Sequence, residues 1–303
     1  MKSRRDAGTR RRGDKTIRPV AASSRLHASP ITLLTDFGNA DYFAGAMKGV
    51  ILSVNPNAQV VDIAHDIAPQ DIEAAAFNLL AAHTSFPAGT IHVAVVDPGV
   101  GSNRRAILVE AGEQFFVGPD NGIFSYVCDS AKGDEPSLTV GLRPRAPRVF
   151  HLNNPKYFRH PVSDTFNGRD IFAPVAAALS IGVEPKELGV QIDDYARLPP
   201  LKAEISRDGV ISGRVIHIDH FGNCVTNITA EELTSQMIAD GVRVGVCGQQ
   251  TETFHRFFAA ERDNNKLFCV WGSAGFLEIA AKNQSAAKLL QAKRGDSVVI
   301  TRT

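Results

Sequence analysis

The sequence predicts an α/β N-terminal domain with a largely parallel sheet and helices on both faces, followed by a smaller all-β C-terminal barrel domain. Three observations carry this. Short apolar runs alternate with stretches of helical periodicity over residues 31–97, an order that gives parallel strands joined by crossover helices. The Pro199-Pro200 pair then breaks the pattern. Beyond it, short β-rich runs follow one another closely, the texture of an antiparallel barrel or sandwich. The divisions read from the chain are a basic tail at 1–29, an α/β domain at 30–197 and a barrel domain at 198–303.

In order along the chain, Ile31 to Thr35 reads as a strand, and Phe43, Met47, Val50 and Val54 then recur at helical spacing. Gln59 to Ala64 is the next strand, and over Asp71 to His83 a helix places Ile72, Ala75, Ala76, Leu79 and Leu80 on one face. Thr90 to Val96 is a buried apolar strand. Ligands of such sheets bind at the carboxyl ends of the strands, and two strand ends finish in Asp: Thr35-Asp36-Phe37-Gly38 and Val96-Asp97-Pro98-Gly99-Val100-Gly101. Both carboxylates are expected to face one crevice. Strands at Arg105 to Ala111 and Gln114 to Val117 lead to the turn Pro119-Asp120-Asn121-Gly122, and a helix from Asp170 to about Ile181 closes the domain. The barrel strands are expected at Leu201 to Ile205, Val210 to Ile218, Val242 to Cys247, Leu267 to Val270, Phe276 to Ala280 and Ser297 to Thr301.

Composition narrows the function classes. Lys+Arg at 33 against Asp+Glu at 32 leaves a net charge of +1, so no overall field draws nucleic acid or an anionic membrane. The segment Lys2 to Arg25, with Arg10, Arg11 and Arg12, has the composition of a disordered tail and lacks the apolar stretch of a secretory leader. No apolar run reaches the ~18 residues of a membrane span. Cys128, Cys224, Cys247 and Cys269 form no C-x-x-C pair, and His217 with His220 is a weak metal pair. No metal site is expected, and a reducing cytoplasm fits.

Taken together, Thr35-Asp36-Phe37-Gly38, Met47-Lys48-Gly49-Val50, Asn55-Pro56, Val96-Asp97-Pro98-Gly99-Val100-Gly101, Arg104-Arg105, Pro119-Asp120-Asn121-Gly122, Thr165-Phe166-Asn167-Gly168-Arg169-Asp170 and Asp219-His220-Phe221-Gly222-Asn223 resemble one family. It is the S-adenosylmethionine hydrolases, or hydroxide adenosyltransferases, related to the fluorinating and chlorinating enzymes that use the same substrate. Any one motif is weak; their number and order from about residue 30 onward make the match specific. The resemblance implies an α/β domain, a β-barrel, and a homotrimer with sites between the N-terminal domain of one subunit and the C-terminal domain of the next. It implies no cofactor, since S-adenosylmethionine is itself the substrate.

The resemblance also assigns roles. The Asp matching Asp36 holds both ribose hydroxyls, for which one carboxylate offers two acceptor oxygens. Phe166 and Gly168 line the substrate, and Asp219, Phe221, Asn223 and Ser273 serve its methionine and adenine ends. An Arg that often follows the Ser in relatives, holding the carboxylate, is Ala274 here. Around the attacking water the hydrolases place an Asp, an Arg and a His; the matching positions are Asp97, Arg104 and Asn167. Asn cannot take a proton at neutral pH, so activation falls on Asp97, whose pKa a neighbouring Arg104 is expected to lower.

Three readings stay open on the residues alone. Water can be the nucleophile, giving adenosine and L-methionine. Chloride can be, although a carboxylate ~4 Å away would repel it by several kcal/mol. Or a binding or sensor protein keeps the pocket and lacks turnover through Asn167. Taken singly, Asp36, Asn167 and Asp170 would also serve as caps, and the Asp97 and Phe221-Gly222-Asn223 segments as plain turns.

Overall fold

The computed structural model describes residues 29–132 and 146–303; the basic tail from Lys2 to Arg25 lies outside the described residues. The first domain is built from β1 (Ile31–Thr35), α1 (Phe43–Val54), β2 (Val60–Ala64), α2 (Ile72–His83), β3 (Ile91–Val95), β4 (Ala106–Ala111), β5 (Gln114–Pro119), α3 (Ser125–Lys132), β6 (Arg148–Leu152), α4 (Ala173–Ser180) and β7 (Gly189–Ile192). Its seven strands lie in the order β2-β1-β3-β5-β4-β6-β7. β2, β1, β3 and β5 pair in parallel, whereas β4 is antiparallel to both β5 and β6, and β7 is antiparallel to β6. The sheet is therefore mixed, with only β4 and β7 opposing the common direction. Only Gly112 and Glu113 join β4 to β5, and so short a link can make a hairpin but no parallel crossover.

Every residue of β1 and β3 is buried, because helices cover both faces of the sheet. Ile31, Leu33, Ile91, Val93 and Val95 pack with Met47, Ile51, Phe172 and Val175 of the α1 and α4 side. Leu34, Ala94 and Val96 point the other way, against Ala75, Leu79, Val127 and Cys128 of α2 and α3. Each large side chain buried in these layers contributes roughly 1.5–3 kcal/mol. Gly118 of β5 lets two strands and a ring close up: a Cβ there would sit 2.3 Å from the Ala94 carbonyl and 2.9 Å from Phe124.

The second domain is a single antiparallel sheet of β8 (Glu204–Ile205), β9 (Ile211–Ile218), β10 (Cys224–Thr229), β11 (Val242–Val246), β12 (Gln249–Thr251), β13 (Leu267–Trp271), β14 (Phe276–Ala281) and β15 (Ser297–Arg302). Its order is β12-β11-β15-β9-β10-β14-β13, with β8 on β9. The ends of this path meet. Just after β12, the Cys269 amide donates to the Thr253 carbonyl at 2.8 Å and the His255 amide to the Cys269 carbonyl at 2.9 Å, which joins β13 and makes the sheet barrel-like. Val215, Val244, Leu277, Ile279 and Val298 fill its core.

The two domains share an apolar seam, in which Phe77, Leu80 and Tyr126 meet Leu201, Ile216, Val225 and Phe276. Arg294 of the barrel clamps Asp71 at the start of α2, at 2.6 and 2.5 Å to the two carboxylate oxygens. Among the described residues no helix is long and apolar enough to cross a membrane.

Candidate active site

Asp97 leaves the tip of β3 at the point where β1 ends alongside it, Thr35 pairing with Val95. The turn that follows is held from three sides. Asn121 donates its side-chain amide to the Val96 carbonyl at 2.8 Å, and the Val100 amide donates to the Asp97 carbonyl at 3.2 Å. Gly101, at φ +80°, lies against the 164 backbone so closely that a Cβ would fall 2.4 Å from the Asp164 carbonyl. The chain thus returns Arg104 to Asp97, and its Nη2 donates to Asp97 Oδ2 at 2.5 Å. The other guanidinium arm donates to the Arg105 carbonyl, and the plane lies over the Phe172 ring, 5.7 Å from its centroid.

Both side chains are buried, Asp97 at 6 % and Arg104 at 9 % exposure, yet the pair is incompletely satisfied. Among the described residues Asp97 Oδ1 and Arg104 Nε have no hydrogen-bond partner. Burial raises the Asp97 pKa above the ordinary carboxylate value, against the opposing pull of Arg104 and the Gly99 amide, and the charge of Asp36 adds to the rise. Burial likewise lowers Arg104. Arg104 does pull Asp97 down, as the sequence predicted, but burial, which the sequence could not show, outweighs that pull and leaves the net shift upward. A buried carboxylate with raised proton affinity and a free oxygen is equipped to take a proton.

Asp36 sits beside this pair, at the end of β1, close enough for its charge to act on Asp97. Its Oδ2 accepts the Gln70 amide at 2.8 Å, which ties the loop after β2 to the strand tip. Phe166 is buried and packs edge-on to Phe37 at 5.8 Å and Phe43 at 5.3 Å, forming an aromatic wall. Gly168 is buried against Met47, where a Cβ would meet Sδ at 3.1 Å. The helix expected from Asp170 begins earlier, as a π-helical turn over Gly168–Phe172 that runs into α4; such turns often mark functional sites. Asn167 precedes it, half-buried, and makes no capping bond. Asp170 is not a cap either: its fully buried carboxylate accepts from Arg159, Arg169 and the Ser163 amide.

The remaining predicted residues cluster in the barrel. In the turn between β9 and β10, Asp219 accepts the Asn223 amide and the Asn223 side-chain amide, both at 2.8 Å, so one donor of Asn223 is already engaged. Phe221, at the tip of that turn, is 77 % exposed. With Ser273, Trp271 and Glu278 these residues line an open cavity of about 770 Å³ whose lining, among the described residues, comes from the barrel alone. Asp219 also borders a cleft of about 870 Å³ between the domains, with Asn39, Asp66, Asp71 and Arg294. Neither Asp36 nor Asp97 lines that cleft, and Arg294 is spent on Asp71.

Within one chain the structure therefore gathers Asp36, Asp97, Arg104, Phe166, Asn167 and Gly168 on the first domain and Asp219, Phe221, Asn223 and Ser273 on the second. Among the described residues no hydrogen bond or ion pair joins the two groups. Sequence reasoning missed Asn121, Trp271 and Glu278. Asn121 was visible inside the quoted Pro119-Asp120-Asn121-Gly122 turn; the other two lie on strands whose facing direction needed the barrel.

An α/β domain with an unsatisfied carboxylate at a strand tip, joined to a barrel with an acidic and aromatic cavity, defines a two-domain enzyme. The sequence model of the SAM hydroxide adenosyltransferase N-terminal domain matches residues 31–189, and that of its C-terminal domain matches residues 213–299. The chain belongs to the SAM hydroxide adenosyltransferase family. It is 36 % identical over 282 residues to the (R)-S-adenosyl-L-methionine hydrolase of Methanocaldococcus jannaschii, covering 89 % of this chain and 95 % of the relative. A fluorinase of Actinopolyspora mzabensis is more distant, 24 % identical over 303 residues, with 90 % and 97 % covered. A crystal structure of a conserved protein from Thermotoga maritima superposes with a TM-score of 0.78 at 33 % identity, covering 90 % of this chain and 100 % of that one.

Proposed function

We propose that the protein hydrolyses S-adenosyl-L-methionine at the ribose 5′ carbon, giving adenosine and L-methionine. The single observation that carries this is Asp97 Oδ1, a buried carboxylate oxygen with no hydrogen-bond partner among the described residues and a raised proton affinity. A water held there donates its hydrogen bond to Asp97, and its oxygen attacks C5′ opposite sulfur. The C5′–S bond breaks, its electron pair goes to sulfur and leaves methionine as a neutral thioether, and the water proton passes to Asp97. The sulfonium is its own leaving group, so no cofactor is called for. Arg104 fixes the carboxylate, and Asn167 orients the water as donor or acceptor. Such positioning in a dry site supplies much of the acceleration.

Asp36 holds the ribose diol, and Phe166 and Gly168 shape the wall beside it. Asp219 takes the α-ammonium, Asn223 the adenine edge with its remaining donor and its oxygen, and Phe221 and Ser273 close over the ligand. Because these groups are apart in one chain, the reading includes a homotrimer in which one subunit's strand tips face the next subunit's barrel. The exposed Phe221 supports it, since a large apolar side chain on a turn gains most when a second copy covers it. The relatives' name specifies the (R) form of the substrate, and we take that form to be the one cleaved here, in the cytoplasm.

Purified protein incubated with the substrate in ¹⁸O-water should release adenosine carrying the label at O5′. Chlorinated nucleoside formed only with added chloride would favour halide as nucleophile, and saturable binding without product would favour a sensor. Asp97 argues against chloride, because its charge would oppose an anion in the same position.

A further inference from the structure

Glu278 brings to the barrel cavity a carboxyl that the reaction above does not use. It stands in β14 between Val225 of β10 and Val270 of β13. Its room comes from Gly272, where a Cβ would fall 1.8 Å from Glu278 Oε1. Asp219 lines the same cavity, and among the described residues no Lys, Arg or His does. Asp219 spends lone pairs on Asn223, whereas nothing among the described residues bonds to or pairs with the Glu278 carboxyl.

We infer that Glu278 and Asp219 together hold the α-ammonium of the methionine moiety, Glu278 supplying the acceptor capacity that Asp219 lacks. This rests on the reading above that the cavity takes the methionine end. Two carboxyls sharing a site without a cation coexist only when one is protonated or a cation enters between them. An ammonium has three donors and can serve both. Burial, then the charge of Asp219, pushes the Glu278 carboxyl up to about 7. The other titratable groups on the packed elements do not face it. Cys224 and Cys269 pair with Ile279 on the opposite side of the sheet, Lys282 reaches the Arg262 carbonyl, and Lys288 is exposed.

The test compares wild type with Glu278→Gln, using the substrate and a sulfonium analogue that lacks the α-amino group. For the substrate, KM should rise about tenfold, the worth of one charge-assisted hydrogen bond, with kcat within about twofold. Wild-type KM should fall between about pH 5.5 and 7.5, below the titration of the α-amino group itself, as Glu278 ionises, and the variant's KM should not. For the amine-free analogue the two proteins should match. Equal KM for the substrate, or an equal loss for the analogue, overturns the inference. If wild type releases no adenosine, the hydrolase reading fails separately. Calorimetric titration of intact substrate and analogue then decides the role of Glu278: weaker binding by the variant for the amine-bearing ligand alone supports it, and equal binding refutes it.

Discussion

Arg104 Nη2 lies 2.5 Å from Asp97 Oδ2 while Asp97 Oδ1 is buried with no partner among the described residues, so one residue's guanidinium fixes the other's carboxylate and leaves its second oxygen for the reaction. Asp97→Asn should lower kcat by ~10²–10⁴, the usual cost of losing a general base. Because Asp97 acts ionised and burial raises its pKa, kcat/KM should fall on acidification through a value above the ordinary ~3.9 of an Asp. Arg104→Leu removes the opposing pull and should move that acid limb to higher pH. It should also destabilise the protein at neutral pH by up to ~3–5 kcal/mol, for want of a partner to a buried charge. That loss shrinks as pH falls, since the folded state then keeps the proton the carboxyl prefers. An acid limb that stays put in the Leu variant would sink the assignment.

Asn167 is half-buried and makes no capping bond, so replacing it should cost the fold within about 0.5 kcal/mol. Asn167→His supplies an imidazole with an ordinary pKa of ~6.5, a second base beside the water. Turnover should rise at least about tenfold, with a new limb near ~6.5 in the kcat profile. An unchanged rate, with the histidine titrating normally by NMR, would show that position 167 does not reach the nucleophile.

How much of this was legible in the sequence follows from where burial is one-sided. β1 and β3 are buried throughout and mostly apolar, and α2 repeats at helical spacing, so their existence and their Asp-bearing ends could be read directly. β6, with Arg148 and His151, and the edge strand β7 beside it, with exposed Val190 and Gln191, mix polar and apolar residues and were not seen. β10 was missed because Thr226, Asn227 and Thr229 are buried polar residues; Thr226 reaches the Leu277 carbonyl and Asn227 the Lys202 carbonyl, partners set by distant chain. The Asp97–Arg104 pair could be named from motif order, but its net proton affinity could not, because burial is a property of the assembled sheet.

Asp170 anchors the loop that carries Asn167. Burial alone would raise its pKa, but Arg169, the Ser163 amide and Arg159 together hold it below the ordinary value. A depressed carboxyl contributes stability above its unfolded pKa and loses it as pH falls through the folded one. Asp170→Asn should therefore cost about 2–4 kcal/mol near neutrality, and the gap to wild type should narrow towards about pH 3 in urea titrations. A gap that is independent of pH would mean that the carboxylate's charge contributes nothing.

The shared site itself can be tested by mixing chains. Asp97→Asn leaves the barrel half intact and Asp219→Asn leaves the strand-tip half intact, so each homo-oligomer should be nearly inactive. If every site takes Asp97 from one subunit and Asp219 from its neighbour, random reassembly of equal amounts gives an intact site whenever an Asp219→Asn chain faces an Asp97→Asn chain in the right order, about one site in four in a cyclic assembly. Co-refolded mixtures should then recover about a quarter of wild-type kcat, with wild-type KM, because the recovered sites are chemically whole. If both halves came from the same chain, mixing would restore nothing, since every chain carries one lesion.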